Sequence, residues 1–130
     1  MKINTTQFGE IEFSEDRVIN FPAGILGFEN LKHYLLIKTD NQLFYWLNSV
    51  DEPEIAFPLI GTRVIDSEFP GEEKSEAFGI VKLDKDPLKI TVNLKAPVYI
   101  NQDKKEGFQT ILDDDKYPVT YKLFSESDWK

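Results

Sequence analysis

Residues 1–130 predict a mainly β protein, a single-domain antiparallel β-barrel or roll of about ten short strands with at most a short helical turn. Three observations carry this expectation. Short stretches rich in Val, Ile, Thr, Phe and Tyr recur along the chain, and each stops at Gly, Pro, Asp or Asn. The intervals between them hold turn-forming residues in hairpin-like positions. With 130 residues, 13% of them aromatic, the chain can close one hydrophobic core.

The elements follow in order. The opening run MKINTTQFGEIEF alternates apolar and polar residues, which suits strands at residues 2–6 and 10–13 and lacks the apolar stretch of a signal peptide. A strand at 18–21 precedes GILGFENL, residues 24–31. There Ile25, Phe28, Leu31 and Leu35 are spaced as one helical face, so a helical turn plugging a barrel end is expected, with Gly24 and Gly27 permitting sharp bends. Strands at 34–38 and 43–49 flank Thr39-Asp40-Asn41-Gln42, where Asp and Asn tolerate the left-handed backbone of a hairpin. A strand at 55–60 leads into DSEFPGEEKSE, residues 66–76, which reads as a mobile or at least solvated acidic loop. Strands at 77–83, 88–94, 96–101, 107–111 and 119–124 complete the set. Their separators, Asp84-Lys85-Asp86-Pro87, residues 101–107 and Asp113-Asp114-Asp115-Lys116-Tyr117-Pro118, are turns.

Chemistry is sparse. The absence of cysteine removes disulfides, thiolate catalysis and cysteine metal sites. His33 is the one histidine and stands without a partner at ligand spacing, so it reads as a surface or strand-edge residue. The triplet Asp113-Asp114-Asp115 lacks the alternating ligands, central Gly and closing Glu of a calcium loop. GILG puts Ile and Leu where a phosphate cradle needs free amides. No catalytic set, metal or cofactor is expected, and the protein reads as a non-enzyme. No apolar run is long enough to span a membrane, and a cytoplasmic address is expected. A net charge of -8 repels phosphate backbones, which argues against direct nucleic-acid binding; it favours a basic protein partner and, mildly, a monomer.

The densest information lies in LFYWLNSVDEPEIAF, residues 43–57. In a strand, Leu43, Tyr45 and Leu47 share one face while Phe44, Trp46 and Asn48 share the other. Either one set forms a partner surface, with aromatics as interface anchors, or both faces are covered by loops folded back over the sheet. Asp51, Glu52 and Glu54 would add negative potential beside that strand. Ile25 and Leu26 form a second apolar candidate, while Phe28 suits packing under a barrel end. Phe21, Leu47, Phe57, Val92, Leu94, Val98 and Ile100 are expected in the core.

The segments FGEIEF, INFPAGILGFENLKHY, FYWLNSVDEPEIAF, ITVNLKAPVYIN and GFQTILDDDKYPVTYKLF occur in an order that resembles the FliW family of flagellar assembly factors. The likeness spans nearly the whole chain. It implies a non-enzymatic β protein of the bacterial cytoplasm that binds flagellin and also CsrA, a small basic RNA-binding regulator that represses flagellin translation. While unsecreted flagellin occupies such a factor, CsrA stays free to repress; export of flagellin releases the factor to antagonise CsrA. From the residues alone, the competing expectation is a small-ligand or carbohydrate-binding barrel that stacks its ligand on Tyr45 and Trp46.

Overall fold

The computed structural model describes residues 1–40, 43–72 and 74–125. Strands β1 (Lys2–Thr5) and β2 (Gly9–Glu12) form a separate hairpin. The Thr5 hydroxyl fastens its turn, donating to the Gly9 carbonyl and accepting from the Phe8 amide. The main sheet contains β3 (Ile19–Asn20), β4 (His33–Lys38), β5 (Phe44–Ser49), β6 (Ala56–Gly61), β7 (Glu76–Lys82), β8 (Thr91–Asn101) and β9 (Glu106–Gln109). They pair in the order β8-β7-β6-β5-β4-β3-β9, and β9 pairs back to β8, so the sheet closes into a barrel of seven strands. The short β10 (Tyr121–Lys122) lies against the first part of β8. The expected mainly β barrel is the observed architecture.

Closure uses one pairing of the opposite sense. β3 and β9 run parallel, meeting at Asn20 and Glu106, while the other ladders are antiparallel. The Asn20 amide donates to the Lys105 carbonyl at 2.9 Å, just before β9 begins. Residues 88–94 and 96–101, expected as two strands, belong largely to one bent strand. Between Phe78↔Val98 and Ile80↔Asn93 the β7–β8 register shifts, and Pro97, which has no N–H to give a ladder, sits in that irregularity. The Asn93 side chain accepts from the amides of Lys95 and Ala96, which holds the bend. Residues 88 and 89, the start of the expected strand, belong instead with Pro87 to a 3-10 turn, capped by Asp86 accepting from the Leu88 amide.

Two local expectations change. GILGFENL does not form a helical turn. Gly24 and Gly27 have φ of 69° and 87°, outside the right-handed helical region, and Ile25 bridges Phe28 in antiparallel fashion. The segment still seals a barrel end, because Ile25 is buried and the Phe28 ring meets Phe57 edge-on at 5.0 Å. The short helix α1 (Thr62–Ile65) lies instead directly after β6. The acidic loop after it is not simply solvated. Phe69 is only 2% exposed and packs edge-on against Tyr117 at 4.7 Å, while the Tyr99 hydroxyl donates to the Pro70 carbonyl. Asn41 and Gln42 of the expected β4–β5 turn lie outside the described residues.

Strand alternation then sorts the apolar residues into two cores. Phe21, Tyr34, Leu47, Leu59, Phe78, Val98 and Ile100 fill the barrel. Their sequence neighbours Ile60, Ala77 and Tyr99 point the other way and join Val92, Leu94, Phe69 and Tyr117 in a second cluster outside it. That outer cluster is covered by the loop after α1 and by the C-terminal segment that carries Leu112 and Leu123.

Candidate functional site

On β5 the three adjacent aromatics reach three environments. Tyr45 turns inward and meets Phe78 edge-on at 5.4 Å. Phe44 packs against the outer cluster. Trp46 stands opposite the β1–β2 hairpin, with the Phe8 ring edge-on to it at 6.1 Å. All three are half-buried. Tyr45 and Trp46 face opposite sides of the sheet and cannot form one stacking platform, which removes the geometry a carbohydrate site on those two rings would need.

Asn48 is fully buried, and its amide nitrogen donates to the carbonyls of Ser49 and Pro53. It braces the turn between β5 and β6. Ile25 is likewise withdrawn into the barrel core, whereas its neighbour Leu26 is 56% exposed. These two burials separate structural from presented residues among the sequence candidates.

The turn after β5 carries the acidic group. Asp51 Oδ2 accepts from the backbone amides of Lys32 and His33 at 2.8 and 3.1 Å, and its Oδ1 lies 2.9 Å from His33 Nδ1. Partial burial pushes the Asp51 carboxyl upward, but those amides and the His33 ring outweigh it and hold its pKa below the ordinary value. Asp51 therefore clamps the start of β4 to the β5–β6 turn. Nearby Tyr34 is pushed up to about 12, first by burial and then by the Asp51 charge. Glu52 and Glu54 are exposed and, among the described residues, form no ion pair.

A second feature was not visible in the sequence. The edge of β8 pairs with β10 at Thr91 and Val92 and with β9 from Val98 onward. Between those pairings opens a groove of about 330 Å³, lined by Leu26, Phe57, Ile80, Lys82, Gln109 and Val119 among others. Val119 is 55% exposed. Its walls come from distant segments, so no periodicity or motif announces it; the exposed Leu26 was the one clue. Phe57, expected in the core, packs against the core with one side and lines the groove with the other.

Among the described residues, no group of three His, Cys, Asp or Glu side chains is placed to hold a metal ion. The Asp113-Asp114-Asp115 run belongs to a turn in which Asp114 accepts from the Lys116 amide. Among the described residues, no helix is long and apolar enough to cross a membrane.

The family model described as FliW protein matches residues 2–123. The flagellar assembly factor FliW of Caldicellulosiruptor saccharolyticus is 43% identical, the alignment covering 94% of this chain and 90% of that protein. The one of Thermoanaerobacter pseudethanolicus is 38% identical, with 97% and 95% covered. A crystal structure of the flagellar assembly factor FliW superposes with a TM-score of 0.87 at 29% identity, covering 97% of this chain and 99% of that one.

Proposed function

Because this chain belongs to the FliW family, we propose that it is a flagellar assembly factor of the bacterial cytoplasm that acts by protein binding, holding flagellin in one state and CsrA in the other. Binding of CsrA would withdraw it from flagellin messages and so relieve repression of translation. The supporting observation is the exposed acidic turn. Glu52 and Glu54 project from a chain of net charge -8, and Asp51 fixes the backbone that carries them. A basic regulator is attracted to such a surface at long range, and the attraction raises the association rate more than it lowers the dissociation rate. Phe44, Tyr45 and Trp46 act in this reading chiefly as the packed frame beneath the turn, with their exposed edges available at the rim.

Calorimetric titration of the protein with flagellin and with CsrA of the same organism, alone and in competition, tests the proposal. Binding of both, each weakened by the other, is the expected result. Independent binding of the two without mutual effect removes the switch, and silence toward both from folded protein removes the function.

A further inference from the structure

The groove beside β8 has a chemistry different from that of the acidic turn. Single exposed apolar residues are ordinary on a protein surface. Here, however, the exposed Leu26 and Val119 line a cleft together with the half-buried Phe57 and Ile80, so four apolar side chains from separate segments converge. The cleft is held in shape. The Leu26 amide donates to Gln109 Oε1 at 2.9 Å, and Gln109 Nε2 donates to the Ala96 carbonyl at 2.9 Å. One glutamine thus ties the loop that presents Leu26 to both β9 and the bend of β8. A surface braced in this way loses little freedom when it is occupied.

Its charge is also opposite to that of the molecule. Among the described residues, Lys82 is the one ionisable residue in the groove wall, and it is the register partner of Thr91 on β8. On the other side of Thr91 the register partner is Lys122 of β10. Paired residues of adjacent strands point to the same face, so Lys82, Thr91 and Lys122 form a short row across one end of the groove. Among the described residues neither lysine has a carboxylate at ion-pair distance. Two cations at the end of an apolar cleft, in a chain with 23 acidic and 15 basic residues, are a local exception.

We propose that this groove is a docking site for an apolar segment of a protein partner, with a carboxylate at one end of that segment lying against Lys82 and Lys122. The proposal rests on the reading that the chain works by binding proteins, and it adds a second surface to it. A basic partner is repelled here. Of the two proposed partners, the groove therefore suits flagellin, through a segment of that apolar and acidic chemistry, and the acidic turn suits the basic regulator CsrA. Two surfaces of opposite preference on one small barrel let the partners be told apart.

The test is calorimetry of flagellin against the wild-type protein, Leu26→Asp, Val119→Asp and the double variant Lys82→Glu/Lys122→Glu, with CsrA titrated into the same samples. Leu26 and Val119 are exposed, so their variants should keep the wild-type melting temperature. Each variant is expected to weaken flagellin binding roughly tenfold or more while changing CsrA affinity less than about twofold. Raising salt to about 0.5 M should shrink the difference between wild type and the double lysine variant. If wild type binds flagellin and the folded variants bind it equally well, the groove is not the site, although the function proposed above stands. Equal weakening of both partners overturns the division of surfaces. If wild type binds no flagellin, the functional reading fails and this proposal fails with it.

Discussion

The inside of the barrel and the cluster outside it are built from the same strands yet depend on different things. Inside, Tyr34, Leu47, Leu59, Phe78 and Val98 come from consecutive neighbours in the closed sheet, β4 to β8, so backbone pairing brings them together and excludes water. Outside, Ile60, Ala77, Val92 and Tyr99 are buried beneath side chains that loops fold back over them, among them Phe69, Leu112, Tyr117 and Leu123. The inner core is enclosed by the strand ladders of the barrel, the outer one by loops laid over it. Opening the first means breaking the barrel, whereas opening the second requires only that two loops lift.

The largest expected effect therefore belongs to the inner core. Phe78 is fully buried and carries Tyr45 on its edge. Phe78→Ala leaves a cavity that neighbouring strands cannot close, because their positions are set by the ladder, and should cost about 3–5 kcal/mol in denaturant unfolding. Phe69→Ala should cost less, about 3 kcal/mol at most, since the loop can detach instead of leaving a sealed void. Hydrogen exchange sharpens the contrast. In Phe69→Ala the Leu94 amide, which donates to the Pro118 carbonyl in the outer layer, should exchange faster. The Val50 amide, which donates to His33 at the barrel wall, should keep its protection. Equal acceleration at both sites would mean that the layers open as one unit, and the distinction would be lost.

The same contrast explains what could be read from sequence. Phe21, Leu47, Val92, Leu94, Val98 and Ile100 were expected in the core, and all are buried, although the bend of β8 divides Val92 and Leu94 from Val98 and Ile100 between the two layers. Alternation set Phe44 and Trp46 opposite Tyr45. It could not tell that both faces would be covered, because the covers, Phe8 on a separate hairpin and the loops of the outer cluster, are not neighbours of β5 in sequence. Phe69 sits alone in an acidic, Pro- and Gly-containing string, where no period distinguishes a buried ring from a solvated one. The groove was illegible for a related reason. Lys82 and Lys122 become companions only through the registers of β7 and β10 on β8. Helical spacing misled at Gly24–Leu31, where glycines with positive φ break the helix that the apolar residues would permit.

The smallest effect separates the two layers by pH, because each is fastened by one carboxylate. Asp51 holds the barrel wall through the Lys32 and His33 amides and the His33 ring. Asp66 holds the outer layer: it accepts from the Glu68 amide and the Tyr117 hydroxyl, and pairs with Lys116 at 3.2 Å. Both carboxyls titrate below their ordinary value. For Asp51 the hydrogen bonds overcome a desolvation that acts the other way; for Asp66 the Glu68 amide leads and Lys116 follows. A depressed pKa in the folded state means that the stabilisation is complete above the unfolded-state pKa of about 4 and disappears as pH falls through the lower folded value. Asp51→Asn and Asp66→Asn should therefore each lower Tm at pH 7, by roughly a few degrees, and the gap from wild type should narrow below about pH 4. The Asp66 variant should also speed exchange at Leu94 while sparing Val50, since its carboxylate touches only the outer layer. A gap in Tm that stays constant down to the acid limb would show that shape, and not charge, is what each aspartate supplies. In that case the acid sensitivity of both layers must arise from the other carboxylates of a chain whose net charge is already -8 at neutral pH.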